Sequence, residues 1–122
     1  MTTQNTLKNR LKEIANNLMF AKFELEHVRT SNKAYKSIKA EEICNKIDEI
    51  CNNVMNVEEV TILYVEKLIT DLYRLINIID AKIIRESKEV YYTLLHMVCA
   101  NISKVCKIRR IMYVEIDEQK YM

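Results

Sequence analysis

Glycine, proline and tryptophan are all absent from the 122 residues of this chain. Glycine is the residue that takes positive φ at no steric cost, and proline fixes φ at turn positions. Tight primed hairpins lean on glycine, and glycine-rich phosphate loops require it for close backbone approach. Nucleotide-binding folds built on such loops are therefore excluded, and long helices joined by Asn-, Ser- and Lys-containing loops are favoured. Histidine occurs only twice, and no Ser-His-Asp, HExxH or P-loop pattern is present. The net charge is only +2, so no strong global field steers nucleic acid or an acidic membrane. No uncharged apolar run approaches the ~20 residues of a membrane helix. The richest stretch, 60–84, is interrupted by Glu66, Lys67, Asp71, Arg74, Asp80 and Lys82. The N-terminus is polar and amphipathic, without the apolar core of a signal peptide. An intracellular, cytoplasmic protein with reduced thiols is expected, with no membrane association. Heavy use of Ile, Asn, Lys and Tyr points to an AT-rich genome, such as that of a virus or other mobile element.

About half the residues are apolar and 30% are charged, a globular composition large enough for one core. Apolar residues at Leu7, Leu11, Ile14, Leu18, Ala21, Leu25 and Val28 alternate spacings of four and three, the seam that helices present to other helices. Asn5 or Thr6 is placed to cap this first helix, and Lys22 with Glu26 forms an i,i+4 pair. "RTSNK" (29–33) reads as a loop. A second helix from about Ala34 or Tyr35 carries Ile43, Ile47, Ile50, Val54 and Val57. Asn56 with Glu59 resembles a capping box, which predicts a third helix from Val57 to about Arg85. That helix has two seams, one through Val65, Leu68, Leu72, Leu75 and Ile79 and another through Ile62, Ile69, Ile76 and Ile83. So apolar a helix predicts an additional interface along Ile62, Ile69, Ile76 and Ile83. "RESKE" (85–89) is a softer break, with Ser87 as cap. A fourth helix runs through Tyr91, Leu95, Val98, Ile102 and Val105, and residues 111–122 read as an extended or frayed tail or a prolongation of it. The predicted architecture is a single all-α domain over 1–122: an antiparallel four-helix bundle with heptad-type packing. Fewer, longer helices associating between chains are the alternative.

All four cysteines fall in two echoing stretches, "ICNKIDEIC" (43–51) and "VCANISKVC" (98–106). Residues seven apart on a helix share a face but stand ~10 Å apart along its axis. One zinc ion, with Zn–S near 2.3 Å, cannot be held by both members of such a pair. Nor can the two form a disulfide, which needs Cα atoms ~4.4–6.8 Å apart. Any chemistry must therefore run between helices, where Cys44, His96 and Cys99 are the weak candidates for a metal layer. Small buried thiols are the simpler reading. Little else aligns at the same offset, so two helices reusing one layer pattern explain the echo better than duplication does. Glu24-x-x-His27 has the spacing used in di-iron bundles, but the residue that should match it before His96 is Thr93, so the second half is missing.

Two basic clusters are present. One is Arg29, Lys33, Lys36 and Lys39; the other is Lys104, Lys107, Arg109 and Arg110, with Tyr113 near enough to stack on bases. The sequence thus predicts a non-enzymatic interaction protein that self-associates or docks on a protein partner and uses no cofactor. The alternatives are a nucleic-acid-backbone-binding subunit acting through Lys104, Lys107, Arg109 and Arg110, and a cysteine-based metal or redox protein.

Overall fold

The computed structural model describes residues 3–31, 38–85 and 89–120, and the side chains of 3–26, 41–85 and 89–120. These residues form four helices and no strand: α1 (Gln4–Ser31), α2 (Ile38–Met55), α3 (Ile62–Arg85) and α4 (Glu89–Lys120). Each helix packs against two others, α1 on α2 and α4, and α3 on α2 and α4, while α1/α3 and α2/α4 lie on the diagonals. Side-chain partners fix the directions. Lys22 of α1 meets Asp48 of α2, and Gln4 meets Val60 just beyond α2, so these helices are antiparallel. Arg10 and Phe20 of α1 lie beside Lys107 and Val90 of α4, and Glu66 and Lys82 of α3 meet Tyr113 and Tyr91, which sets α4 antiparallel to both α1 and α3. The predicted antiparallel four-helix bundle is thus the fold.

The seams make the core. Leu7, Leu11, Ile14, Leu18, Ala21 and Leu25 are buried on α1, and Ile43, Ile47, Ile50 and Val54 on α2. From α3 come Val65, Leu68, Leu72, Leu75 and Ile79, and from α4 Tyr91, Val98, Ile102 and Val105. Val28 has its side chain outside the described residues. On α4 the buried stripe is wider than the sequence reading, taking in Leu94, Asn101 and Ile108, whereas Leu95 is only partly buried. Lys82 is also buried, its ammonium 5.8 Å from the centre of the Tyr91 ring. That geometry lets the ring face receive the cation.

Several boundaries differ from expectation. α1 is capped two to three residues early, by Thr3, whose Oγ1 accepts from the Thr6 N–H at 3.2 Å, rather than by Asn5 or Thr6. Its helix continues through Arg29, Thr30 and Ser31, so the break expected at "RTSNK" falls later. The predicted start of the second helix near Ala34 or Tyr35 and the Ser87 cap lie outside the described residues. Asn56 does not start α3. Its Nδ2 donates back to the Asn52 carbonyl at 2.8 Å and finishes α2. α3 begins five residues later than predicted, at Ile62, with Thr61 Oγ1 accepting from the Tyr64 N–H at 3.1 Å. A Thr hydroxyl at the N-cap satisfies an orphan amide that Asn56 is too far away to reach.

The connection 56–61 is held from α1. The Gln4 side-chain amide donates to the Val60 carbonyl at 3.1 Å and accepts from the Val60 N–H at 2.8 Å. Among the described residues no φ is positive, so this turn is made without a left-handed residue, in a chain that has no glycine to supply one. Residues 111–120 prolong α4 and are not an extended arm. Tyr113 holds this end of α4 to α3 by donating its hydroxyl proton to Glu66. Among the described residues no helix is long and apolar enough to cross a membrane.

Candidate interaction face

The two cysteine stretches have different fates. Cys44 and Cys51 are buried in the core, Cys106 is half-buried and Cys99 is exposed; none of the four is in a disulfide. Cys51 faces α1, where its Sγ–H donates to the Ala15 carbonyl at 3.4 Å. Burial first, and then the negative field of Asp48, push this thiol up to about 11. On α4 the core widens on the opposite flank, through Leu94, Asn101 and Ile108, which leaves Cys99 outside. Cys99 therefore does not join Cys44 in a buried layer. His96 is also exposed, so Cys44, His96 and Cys99 are not brought together, and the described residues contain no group of three or more His, Cys, Asp or Glu able to hold a metal ion. Glu24 is exposed, and the His27 side chain lies outside the described residues.

The second seam of α3 is largely used within the chain. Ile69 is buried, only 6% exposed, and the half-buried Ile76 and Ile83 pack on the core; Ile62 is half-buried at the helix start. The outermost face of α3 carries Leu63, Tyr73 and Ile84, but Lys67, Thr70, Arg74, Asn77 and Asp80 separate them. Between α2 and α3 lies a small pocket of about 150 Å³ lined by Lys46, Glu49, Asn53, Tyr64 and Asp71 among others. The Tyr64 hydroxyl is buried there without a hydrogen-bond partner, and burial pushes it up to about 12. At ~30 Å³ per water, the space admits a few waters to satisfy it.

Among the described residues, a larger and more apolar opening lies on the α1–α4 side. A groove of about 630 Å³ runs between Phe20, Ala21 and Glu24 of α1 and Glu89, Val90, Thr93, Leu94 and Met97 of α4. The chain has two phenylalanines, and neither is in the core: Phe20 is 57% and Phe23 63% exposed, next to the exposed Met19. Apolar residues scattered singly on a surface are ordinary, but a group of them beside an apolar groove is a candidate interaction surface. Heptad spacing explains why these residues stay outside. Phe20 follows the seam residue Leu18 by two and Phe23 precedes Leu25 by two, which turns both away from the core.

Toward the other end of the α1–α4 face, Lys104 and Lys107 of α4 meet Arg10 and Glu13 of α1 around Ile14 and Ile108. Arg10 is a member of this basic group that the linear cluster does not reveal. Arg109 and Arg110 fall elsewhere: Arg109 is half-buried near Tyr113, and Arg110 lines a shallow groove with Ile111, Val114, Glu115 and Glu118. Tyr113 is engaged by Glu66, whose hydrogen bond raises its pKa above the ordinary phenol range. The side chains of Arg29, Lys33, Lys36 and Lys39 lie outside the described residues.

Asn17 and Asn101 join the two ends of the face. The Asn17 amide donates to the Asn101 side-chain oxygen at 3.2 Å, and the Asn101 amide donates to the Met97 carbonyl at 2.8 Å. No protein-family model, curated protein or solved structure matches this chain.

Proposed function

We propose that this chain is a non-enzymatic helical interaction protein whose α1–α4 face docks on protein. The observation that carries this reading is Phe20, more than half exposed beside an apolar groove formed with Val90, Leu94 and Met97. Fully burying an exposed Phe side chain is worth about 1.5–3 kcal/mol, and Phe20 has a little over half of that surface left to cover, so a partner that seats on it gains affinity that the isolated chain forgoes. Helix-in-groove recognition, with apolar anchors every three or four residues, is the mode this shape accepts. The α3 seam is the less favourable surface, because Ile69 is already buried and polar residues divide the outer face. A reducing, intracellular setting in a virus or mobile element belongs to the same proposal. It is supported by four cysteines that form no disulfide and by the AT-rich residue usage.

The test compares wild-type bait with Phe20→Asp in the cells from which the gene derives. Because Phe20 is exposed, the substitution leaves the core intact. Partners retained by wild type and lost by Phe20→Asp are expected; identical retention by both contradicts the reading.

A second reading, a nucleic-acid-backbone-binding subunit, is favoured by the meeting of Arg10 with Lys104 and Lys107 across two helices. Three phosphate contacts predict a log–log salt slope of about −2.7 on duplex DNA. Absence of binding at low salt eliminates it.

A further inference from the structure

We infer that the partner on the α1–α4 face is a second copy of this chain, related by a twofold axis lying in the plane of the face and running across its helices. The inference rests on the docking reading above and names its occupant.

The charges on this face are segregated lengthwise. Glu24 and Glu89 stand at the Phe20 end, and Arg10, Lys104 and Lys107 at the other. All five side chains belong to exposed residues, and none forms an ion pair among the described residues. A face of one sign would select a partner of the opposite sign. A face with one sign at each end is complementary to its own image turned end over end. That is the isologous arrangement of a twofold dimer.

Residue positions set where the axis passes. Midway between Arg10 and Glu24 on α1 stands Asn17. Midway between Glu89 and the Lys104/Lys107 pair on α4 stands Met97 or its neighbour. These two centres lie close together, since Asn17 bonds Asn101 and Asn101 bonds the Met97 carbonyl one turn away. An axis through them sets Glu24 over the other copy's Arg10 and Glu89 over its Lys104 and Lys107. Glu13, the one acid at the basic end, falls opposite Ala21. Phe20 is three residues from Asn17, so the two Phe20 side chains meet across the axis, ~9 Å apart along the helices. The one-turn offset between the two centres tilts the axis away from the perpendicular. The copies then cross at an angle, in the manner of helices packed ridge into groove.

The face is ~21–27 Å long and about two helices wide, so each copy buries roughly 500 Å². About 1,000 Å² in total is at the low end of specific interfaces, which predicts a reversible dimer.

Sedimentation equilibrium of the purified full chain from low to high micromolar concentration tests this. The 14.5 kDa chain should approach twice that mass as concentration rises. An acid-reversed chain (Glu24→Lys with Glu89→Lys) and a base-reversed chain (Arg10→Glu, Lys104→Glu, Lys107→Glu) should each dimerise at least about tenfold more weakly, since like charges then oppose. Mixing the two should restore a one-to-one dimer. Should a reversed chain lose helicity by circular dichroism, the neutral Glu24→Gln with Glu89→Gln replaces it and should weaken the dimer and flatten its salt dependence. A wild-type chain that stays monomeric overturns the inference, as do reversed chains that dimerise like wild type or a mixture that stays monomeric. A monomeric wild type whose partners still depend on Phe20 leaves the docking reading standing with another occupant. Loss of that dependence removes both.

Discussion

A thiol that donates to a backbone carbonyl between two helices behaves as a small hydrophobe with one weak polar bond. Cys51 does this with Ala15, and burial holds it protonated up to about pH 11. Its folded pKa is therefore above its ordinary value of 9.0, and the folded state binds the proton more tightly than the unfolded one. That contribution to stability is fully present below pH 9 and is lost as pH rises toward 11. Tyr64 acts in the same sense between 10.0 and about 12. Urea unfolding between pH 8 and 11 should show stability falling with pH, and Cys51→Ala should flatten the lower part of that fall. A fall unchanged in Cys51→Ala would reject the assignment. Alkylation offers a second check on the thiols. Cys99 should react fastest and Cys106 more slowly, with Cys44 and Cys51 protected until the chain unfolds. At this scale the sequence limits what each cysteine can chelate, because seven-residue spacing is pure helix geometry. It does not reveal which cysteine is buried. That depends on which flank of each seam the neighbouring helix covers, and α2 and α4 resolve it differently.

Helix ends are decided by which side chain reaches which orphan amide. Thr61 caps α3, and Thr61→Ala should cost about 0.5–2 kcal/mol in chemical denaturation. Asn56→Ala should leave the α3 N-terminus intact and disturb only the end of α2. Equal losses of α3 helicity in both variants would contradict this assignment. The four–three seams were legible from spacing alone. The α2–α3 boundary was not, because Asn56-x-x-Glu59 and Thr61 both look like starts. The competition is settled by Gln4, 56 residues away, which binds both backbone groups of Val60 and holds 56–61 outside the helices. The α1–α4 pair carries its own polar device, Asn101, buried but bonded to Asn17 and to the Met97 carbonyl. Asn101→Ala should destabilise by about 1–3 kcal/mol and Asn17→Ala by about 0.5–1.5. The double variant should lose less than the two single losses combined, because the residues share one bond. A buried amide at a seam edge also disfavours slipped registers, the use best attested for such residues.

For the whole molecule, the antiparallel bundle was readable because four amphipathic segments joined by short connections have one economical way to hide their seams. The proposed docking face was harder to see. An unusually apolar α3 draws attention to Ile62, Ile69, Ile76 and Ile83, but folding uses much of that surface internally, with Ile69 inside the core. The exposed apolar group on α1 carried a visible signal: both phenylalanines of the chain stand off the α1 seam. What no linear reading shows is that Phe20 lies beside Val90 and Met97, or that Arg10 joins Lys104 and Lys107, since each pairing needs α1 laid against α4. The central claim is that association runs through this face and not through α3. Site-specific photo-cross-linking tests it most directly, with the reactive group placed at position 20 in one chain and at position 73, on the outer face of α3, in another. The account predicts protein adducts, whether with another copy or with a different protein, from position 20 and none above background from position 73. Adducts from position 73 alone would contradict it.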